Sequence, residues 1–274
     1  MIQDISPSRL DNAYKDYSIR EEDTALFFDR EGKILTRTGD GEIGFPDGKD
    51  AAGYESVYLF SVDETRFFLV TGAQGFSKDG FAYRTLRELR RESTGNGIYA
   101  AFTAYHLWKW YRDNRFCGAC GKELSYDSRE RALRCPACGN VVYPRINPAV
   151  IVGVIKGDCL LLTKYRAGYG GNALVAGFTE IGETLEETVA REVMEETGVR
   201  VRNIRYYKSQ PWGIAQDILV GFYCDAEENA EIHMDENELR YAQWVPREKI
   251  VLQEDNLSLT NEMMRVFREN RLGT

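Results

Sequence analysis

Three glutamates, Glu192, Glu195 and Glu196, stand close together in the stretch Gly177–Gly198, which holds seven acidic residues and one base, Arg191. At about 100° per residue on a helix, Glu196 falls about 40° to one side of Glu192 and Glu195 about 60° to the other. All three therefore share an arc of roughly 100°. Leu185, Val189 and Val193 lie along the same side, so Glu196 projects between Leu185 and Val189, half turned toward the interior. Carboxylates packed there are costly unless something positive sits among them. Oxygen clusters of this kind suit hard divalent cations such as Mg²⁺ or Mn²⁺, which retain water for a substrate or nucleophile. Arg191 can pair with a carboxylate to orient it. The competing reading is a solvated helix laced by pairs four residues apart, but that usually carries more lysine and arginine than one residue.

A second set of chemistry-bearing residues precedes this stretch. Cys117-Gly-Ala-Cys120-Gly and Cys135-Pro-Ala-Cys138-Gly repeat one device, with fourteen residues between them. Each pair places two thiolates on a tight turn, and the following glycine tolerates a positive φ that lets backbone N–H groups approach sulfur. Cys117, Cys120, Cys135 and Cys138 thus match a tetrahedral Zn²⁺ site with no open coordination position, which holds structure rather than performing chemistry. A nucleic-acid-reading ribbon is the rival, yet residues 113–146 carry six arginines and lysines against four acids, too weak a basic patch to argue binding. The remaining thiols, Cys159 and Cys224, sit in strand-like apolar contexts and read as buried structural residues.

Other chemistries are disfavoured. There are two histidines, His106 beside aromatics in a helix and His233 in a polar connection, so a histidine-based triad is improbable. The net charge of -8 disfavours general binding of polyanions or membrane surfaces and favours a small diffusible ligand. The opening residues lack a basic segment followed by an apolar one, and the longest apolar run, Ala149 to Ile155, is far too short to span a membrane. A soluble cytoplasmic protein is expected.

The elements that must position these groups form three regions in 274 residues. Residues 1–112 read as a small N-terminal α+β domain. In it TALFF with ILTRT, and SVYLFSV with RFFLV, are expected as two hairpins. FAYRTLRELRRE and IYAAFTAYHLWKWYRDN follow as two amphipathic helices. Residues 113–146 form the zinc ribbon. Residues 147–274 read as a mixed α/β domain: the hairpin AVIVGVI and CLLLTKY about a Gly157-Asp158 turn, the acidic helix, three strands (VRNIRYYKSQPW, ILVGFYCDA and YAQWV), and a last helix near Leu259–Asn270.

Gly177, five residues, Glu183, seven residues, and then Arg191-Glu192-Val193-Met194-Glu195-Glu196-Thr197-Gly198-Val199 resembles the Nudix box at every position. The resemblance implies an α/β/α sandwich around a mixed sheet. It also implies hydrolysis of a nucleoside diphosphate linked to another moiety, with Glu192, Glu195 and Glu196 holding divalent metal and Ala176 offering its backbone carbonyl. Metals of this kind neutralise a diphosphate and activate water for in-line displacement, with a glutamate such as Glu195 as base. The order of ribbon and box, with Ser209-Gln210-Pro211-Trp212, is similar to zinc-ribbon NADH pyrophosphatases, which split NAD(H) into AMP and nicotinamide mononucleotide. That similarity implies Tyr143, Ser209, Gln210, Pro211, Trp212 and Thr260 at the substrate, Glu238 as a further metal ligand, and a homodimer.

The family's signature continues Pro-Phe-Pro-x-Ser, whereas this chain reads Gly213-Ile214-Ala215-Gln216-Asp217. That loss removes rigidity and a stacking surface and adds a charge a diphosphate would resist. ADP-ribose or an NAD-type cap on RNA are therefore alternative substrates, and a catalytically silent nucleotide-binding module is a third reading. Lys164 and Arg166 are candidate phosphate contacts.

Overall fold

A computed structural model describes residues 1–39, 41–166 and 170–271. The chain divides into two compact units, one of Ile2–Arg145 with Gly213–Gln216, the other of Met1, Ile146–Trp212 and Asp217–Thr274. Among the described residues no helix is long and apolar enough to cross a membrane.

The first unit opens with β1 (Leu10–Asp11), β2 (Thr24–Leu26), β3 (Ile34–Gly39), β4 (Glu42–Gly44), β5 (Glu55–Val62), β6 (Thr65–Thr71) and β7 (Ala82–Arg84). Helices α1 (Leu86–Glu92) and α2 (Asn96–Asp113) follow, then β8 (Ser125–Tyr126), β9 (Leu133–Arg134) and β10 (Val141–Val142) of the ribbon. The β5–β6 hairpin is as expected, turning through Asp63 at φ 51. The first expected hairpin is present only as a short antiparallel contact, with Leu35 N–H donating to Phe27 at 2.9 Å and Asp29 N–H to Lys33 at 3.0 Å. β2 runs parallel to β6, β3 pairs with β4 and β7, and a lone bridge, Phe28 to Ile34, joins the two segments. Local alternation cannot distinguish these partners, because Ala25, Leu26, Phe27, Ile34 and Leu35 are all buried and any of several strands can cover them. The first helix also starts later than the sequence suggests. Thr85 caps it in a reciprocal pair with Glu88, which leaves Ala82–Arg84 free to act as a strand.

The second unit comprises β11 (Asn147–Lys156), β12 (Cys159–Tyr165), β13 (Val175–Phe178), α3 (Leu185–Thr197), β14 (Val201–Trp212), β15 (Asp217–Ala226), β16 (Leu239–Pro246) and α4 (Leu259–Arg268). Its sheet runs β14-β15-β11-β12-β16, with β11 and β15 parallel from Asn147 opposite Asp217 to Ile155 opposite Asp225. Both faces of β11 are covered, which is why its sequence is apolar throughout. Val150, Val152 and Val154 pack with Leu161, Val189 and Val193 under α3, while Ile151 joins Leu160, Leu162, Met263, Met264 and Phe267 under α4. This is the expected α/β/α sandwich around a mixed sheet.

The other edge of β11 is shared. β12 pairs with it only at Ile155 and Lys156, and β13 takes the stretch Ala149–Val152. The last residues of β12 are thereby released from β11, and Thr163 bridges Ala173 instead. Tyr165 comes to lie over the seam. Leu161, fully buried between sheet and α3, tests this core. Leu161→Ala should cost about 2–5 kcal/mol in urea unfolding while zinc content stays at the wild-type value; a loss under about 1 kcal/mol would contradict the packing.

Candidate active site

The acidic helix is delimited by local chemistry. Thr184 accepts from the Glu187 N–H while Glu187 returns a bond to the Thr184 N–H, and Gly198 ends the helix at φ 69. Val189, Val193 and Glu196 all face inward, and Glu196 is 2% exposed.

Glu196 is held by the seam. The Tyr165 hydroxyl donates to it, with its oxygen 3.1 Å from Oε1 and 3.3 Å from Oε2, and accepts from the Ala176 N–H at 3.1 Å. No cation pairs with this carboxylate among the described residues. Burial, reinforced by the charges of Glu192 and Glu238, pushes it up to about 8, against the opposing pull of Tyr165. Glu192 is raised in the same direction, first by burial, with Glu195 and Glu238 adding to it against the pull of Arg191. Glu192, Glu196 and Glu238 thus feel one another's charge.

Glu238 arrives by a backbone route. The chain beyond β15 crosses the end of α3, where His233 N–H donates to Thr197 and Asp235 N–H to Glu196, at 2.8 and 2.9 Å. The Glu238 carbonyl then accepts from the Arg166 N–H at 2.9 Å, and its side chain stays exposed. Arg166 itself bonds to the Glu236 carbonyl, and Lys164 lies over the Tyr241 ring at 5.2 Å. Neither cation points at Glu196.

Arg191 is a hub. It grips Glu183 with two bonds of 2.5 and 2.9 Å, reaches Glu192 at 2.7 Å and Glu195 at 2.9 Å, and caps the Phe178 carbonyl at 2.9 Å. Its bonds hold Glu183 down at about 2, so that carboxylate stays ionised. Glu192 packs directly on Gly177: a Cβ there would stand 2.0 Å from its carboxyl carbon and would force that side chain to move. The outcome differs from an evenly clustered trio. Glu196 is buried, Glu192 is half-buried on Arg191, and Glu195 has a side chain 59% exposed. Their separate partners explain why the box glutamates are not gathered within 4.8 Å, a span that among the described residues only the cysteines meet. Even so, a buried carboxylate lacking a cationic partner, with two acids beside it, fits a hard divalent cation. Ala176 is the nearest backbone carbonyl on β13, 3.5 Å from the Tyr165 hydroxyl.

The four cysteine sulfurs fit Zn²⁺, all lying within 4.8 Å of one another. The two knuckles are built alike: Cys117 N–H donates to Lys122 and Gly121 N–H to Cys117, as Cys135 N–H does to Asn140 and Gly139 N–H to Cys135. Gly121 and Gly139 turn at φ 73 and 77. Backbone N–H groups, that of Ala119 foremost, hold the Cys117 thiol down at about 6. The Lys122 N–H favours the Cys120 thiolate, yet the Cys135 and Cys138 sulfurs outweigh it and push Cys120 up to about 12. A divalent cation relieves that crowding. Of the other thiols, Cys224 is fully buried and pushed up to about 12 by burial, whereas Cys159 is only half-buried.

The residues of Ser209–Trp212 differ in placement. Gln210 is fully buried, donating to the Leu257 carbonyl and accepting from the Leu259 N–H, both at 2.8 Å. Its side chain fixes the start of α4 instead of lining an open surface. Ser209, Pro211, Trp212 and Thr260 are half-buried. At the first departing position after Trp212, a Cβ on Gly213 would stand 2.0 Å from the Phe102 carbonyl oxygen. Gln216 accepts from Arg145 at 2.9 Å, and Asp217 is 5% exposed. In the first unit Tyr143 is 56% exposed and donates to Glu130 at 3.0 Å, while His106 bonds the Arg145 carbonyl at 2.8 Å. Tyr165 escaped the sequence reading, although its period-two spacing from Leu161 places it on the α3 face.

A mixed sheet between two helices, an acid-rich helix on one face and a four-cysteine ribbon define a metal-dependent α/β protein. Comparison with known proteins agrees with that class. Residues 145–267 match the Nudix domain and residues 112–143 the NADH pyrophosphatase zinc ribbon domain. The chain is 43% identical over 139 residues to the NAD-capped RNA hydrolase NudC of Klebsiella pneumoniae, covering 50% of this chain and 54% of that protein. It is 40% identical over 147 residues to the namesake from Photorhabdus laumondii, covering 53% and 57%. The chain thus matches little more than half the length of these curated relatives. A Nudix hydrolase structure from Nitrosomonas europaea superposes with TM-score 0.51 at 23% identity, over 58% of this chain and 94% of that one, and shows the fold alone. Residues 145–267 thus form a Nudix domain, preceded by a zinc ribbon of the NADH pyrophosphatase type.

Two outcomes check the site. Cys135→Ser should strip the ribbon of its zinc, about one equivalent per chain by inductively coupled plasma mass spectrometry; full retention would contradict a four-thiolate site. Glu196 binds a proton more tightly folded than unfolded, its carboxyl rising from 4.5 to about 8. In protein free of added divalent metal, the contribution of Glu196 to stability should therefore be fully present below about pH 4.5 and be lost as pH rises through about 8. Glu196→Gln should flatten the slope in urea melts between about pH 5 and pH 8, and an unchanged slope would contradict the assignment.

Proposed function

We propose that the Nudix unit hydrolyses the diphosphate bridge of NAD(H), releasing nicotinamide mononucleotide and AMP from the free dinucleotide, or nicotinamide mononucleotide and a 5′-monophosphate RNA where the dinucleotide caps an RNA. The observation that carries this reading is the Glu196 carboxylate, buried at 2% exposure without a cationic partner and flanked by Glu192 and Glu238. That donor set, with the Ala176 carbonyl, suits Mg²⁺ or Mn²⁺. A bound ion of this type neutralises diphosphate oxygens and lowers the pKa of a bound water.

The chain's own residues supply the rest. An exposed side chain, tied to Arg191 at 2.9 Å, supports Glu195 as the acceptor of the attacking water's proton. Arg191, anchored on Glu183, limits where Glu192 and Glu195 can swing. The half-buried Trp212 indole suits stacking on a flat base. The capped-RNA form of the substrate is favoured by the likeness to NAD-capped RNA hydrolases. A net charge of -8 suits recognition of an RNA's end better than of its body. The changed residues after Trp212 support a second substrate, ADP-ribose.

Glu195→Gln should lower kcat by about 10²–10⁴-fold with melting temperature and zinc content unchanged. Mass spectrometry of products from NADH, NAD⁺, ADP-ribose and NAD-capped RNA, with Mg²⁺ or Mn²⁺ present, ranks the substrates. Inactivity toward NADH, NAD⁺ and capped RNA alike would reject the proposal.

A further inference from the structure

The Tyr165 hydroxyl occupies a crossing point that nothing in the Nudix box encodes. It ends β12 where that strand has left β11, and four acceptors surround it: Glu196 Oε1 at 3.1 Å, Glu196 Oε2 at 3.3 Å, and the Leu174 and Ala176 carbonyls at 3.5 Å each. A phenol has one proton. The carboxylate oxygens are nearest and carry the charge, so the proton is directed to Glu196. A lone pair of the same oxygen takes the Ala176 N–H at 3.1 Å. The two carbonyls are left without that donor and keep their lone pairs for other partners. One atom thus ties the buried acid of α3 to the β13 backbone.

We infer that Tyr165 is a positioning residue, its hydroxyl holding the Glu196 carboxylate and the Ala176 peptide at a fixed spacing and thereby setting the divalent-metal affinity of the site. This rests on the reading of Glu196 and Ala176 as metal donors. Without the hydroxyl, one oxygen of a carboxylate buried at 2% exposure loses its donor, and Glu196 must reorient or draw in water. The peptide that presents the Ala176 carbonyl loses its anchor too. Groups that orient a ligand in this way typically change metal affinity by 10–100-fold. Phenylalanine keeps the ring's packing and removes only the oxygen.

The test titrates Mn²⁺ into zinc-loaded full-length protein, reading free Mn²⁺ by electron paramagnetic resonance, for wild type, Tyr165→Phe, Glu196→Gln and the double variant. Tyr165→Phe should bind Mn²⁺ about tenfold more weakly or worse, with its circular dichroism and zinc content as in wild type. Because Tyr165 acts through Glu196, the double variant should bind no more weakly than Glu196→Gln alone. Wild-type affinity in Tyr165→Phe would overturn the inference, even if its melting temperature fell, since that pattern marks a structural role alone. Two losses that add in full would overturn it as well. Wild type that binds Mn²⁺ and hydrolyses the dinucleotide beside an unaffected Tyr165→Phe rejects this inference only. Wild type that does neither rejects both it and the functional reading beneath it.

Discussion

A carboxylate sealed between a helix and a sheet is the constraint around which the second unit is organised. Desolvating an ionised carboxyl costs several kcal/mol unless hydrogen bonds and a cation compensate. Glu196 receives a hydrogen bond from Tyr165, whose oxygen is in turn held by the Ala176 N–H, and no cationic side chain from the described residues. The demand for positive charge therefore remains within the fold. α3 brings the acid inward on the same stripe as Val189 and Val193. The seam between β12 and β13 gives it a hydroxyl, and the segment crossing the end of α3 brings Glu238 close enough to raise its proton affinity further.

The acids around it are not equivalent, and one arginine makes them differ. Arg191 commits two of its bonds to Glu183, which is ionised and fixed, and shares a third nitrogen between Glu192 and Glu195. A planar guanidinium with five donors can do this; a lysine ammonium cannot match the fork. Glu192 is consequently pinned against Gly177, whereas Glu195 extends toward water. Carboxylates of one sequence motif thus acquire different proton affinities and mobilities from burial and from a shared partner. The ribbon answers an opposite problem: its sulfurs repel, and its backbone N–H groups offset that only in part.

The segment after Trp212 illustrates how packing can reshape a signature. Gly213 stands where a side chain would strike the Phe102 carbonyl, and Gln216 takes a bond from Arg145. A proline at Gly213 would carry a Cβ into the same atom. The first departing residue, Gly213, thus sits where Phe102 leaves no room for a side chain. Gln210 shows the converse: it retains the family residue but directs its amide to the backbone at the start of α4.

The zinc quartet, the acidic helix, the apolar β11–β12 hairpin and the final helix were legible from the residues alone. Each is written in short-range spacing: two residues between thiols, three and four along a helix, two along a strand. The inward turn of Glu196 was legible too, because the helical period fixes it relative to Val189 and Val193. Which strands β2 and β3 join was not, since a buried strand's pattern fits several partners. Nor was Tyr165, whose importance arises because β11 hands its edge from β12 to β13, so that residues eleven and thirty-one apart meet at one oxygen. Spacing along the chain encodes which groups share a face. Only the tertiary fold decides which faces meet, and so which buried charge is left wanting a partner.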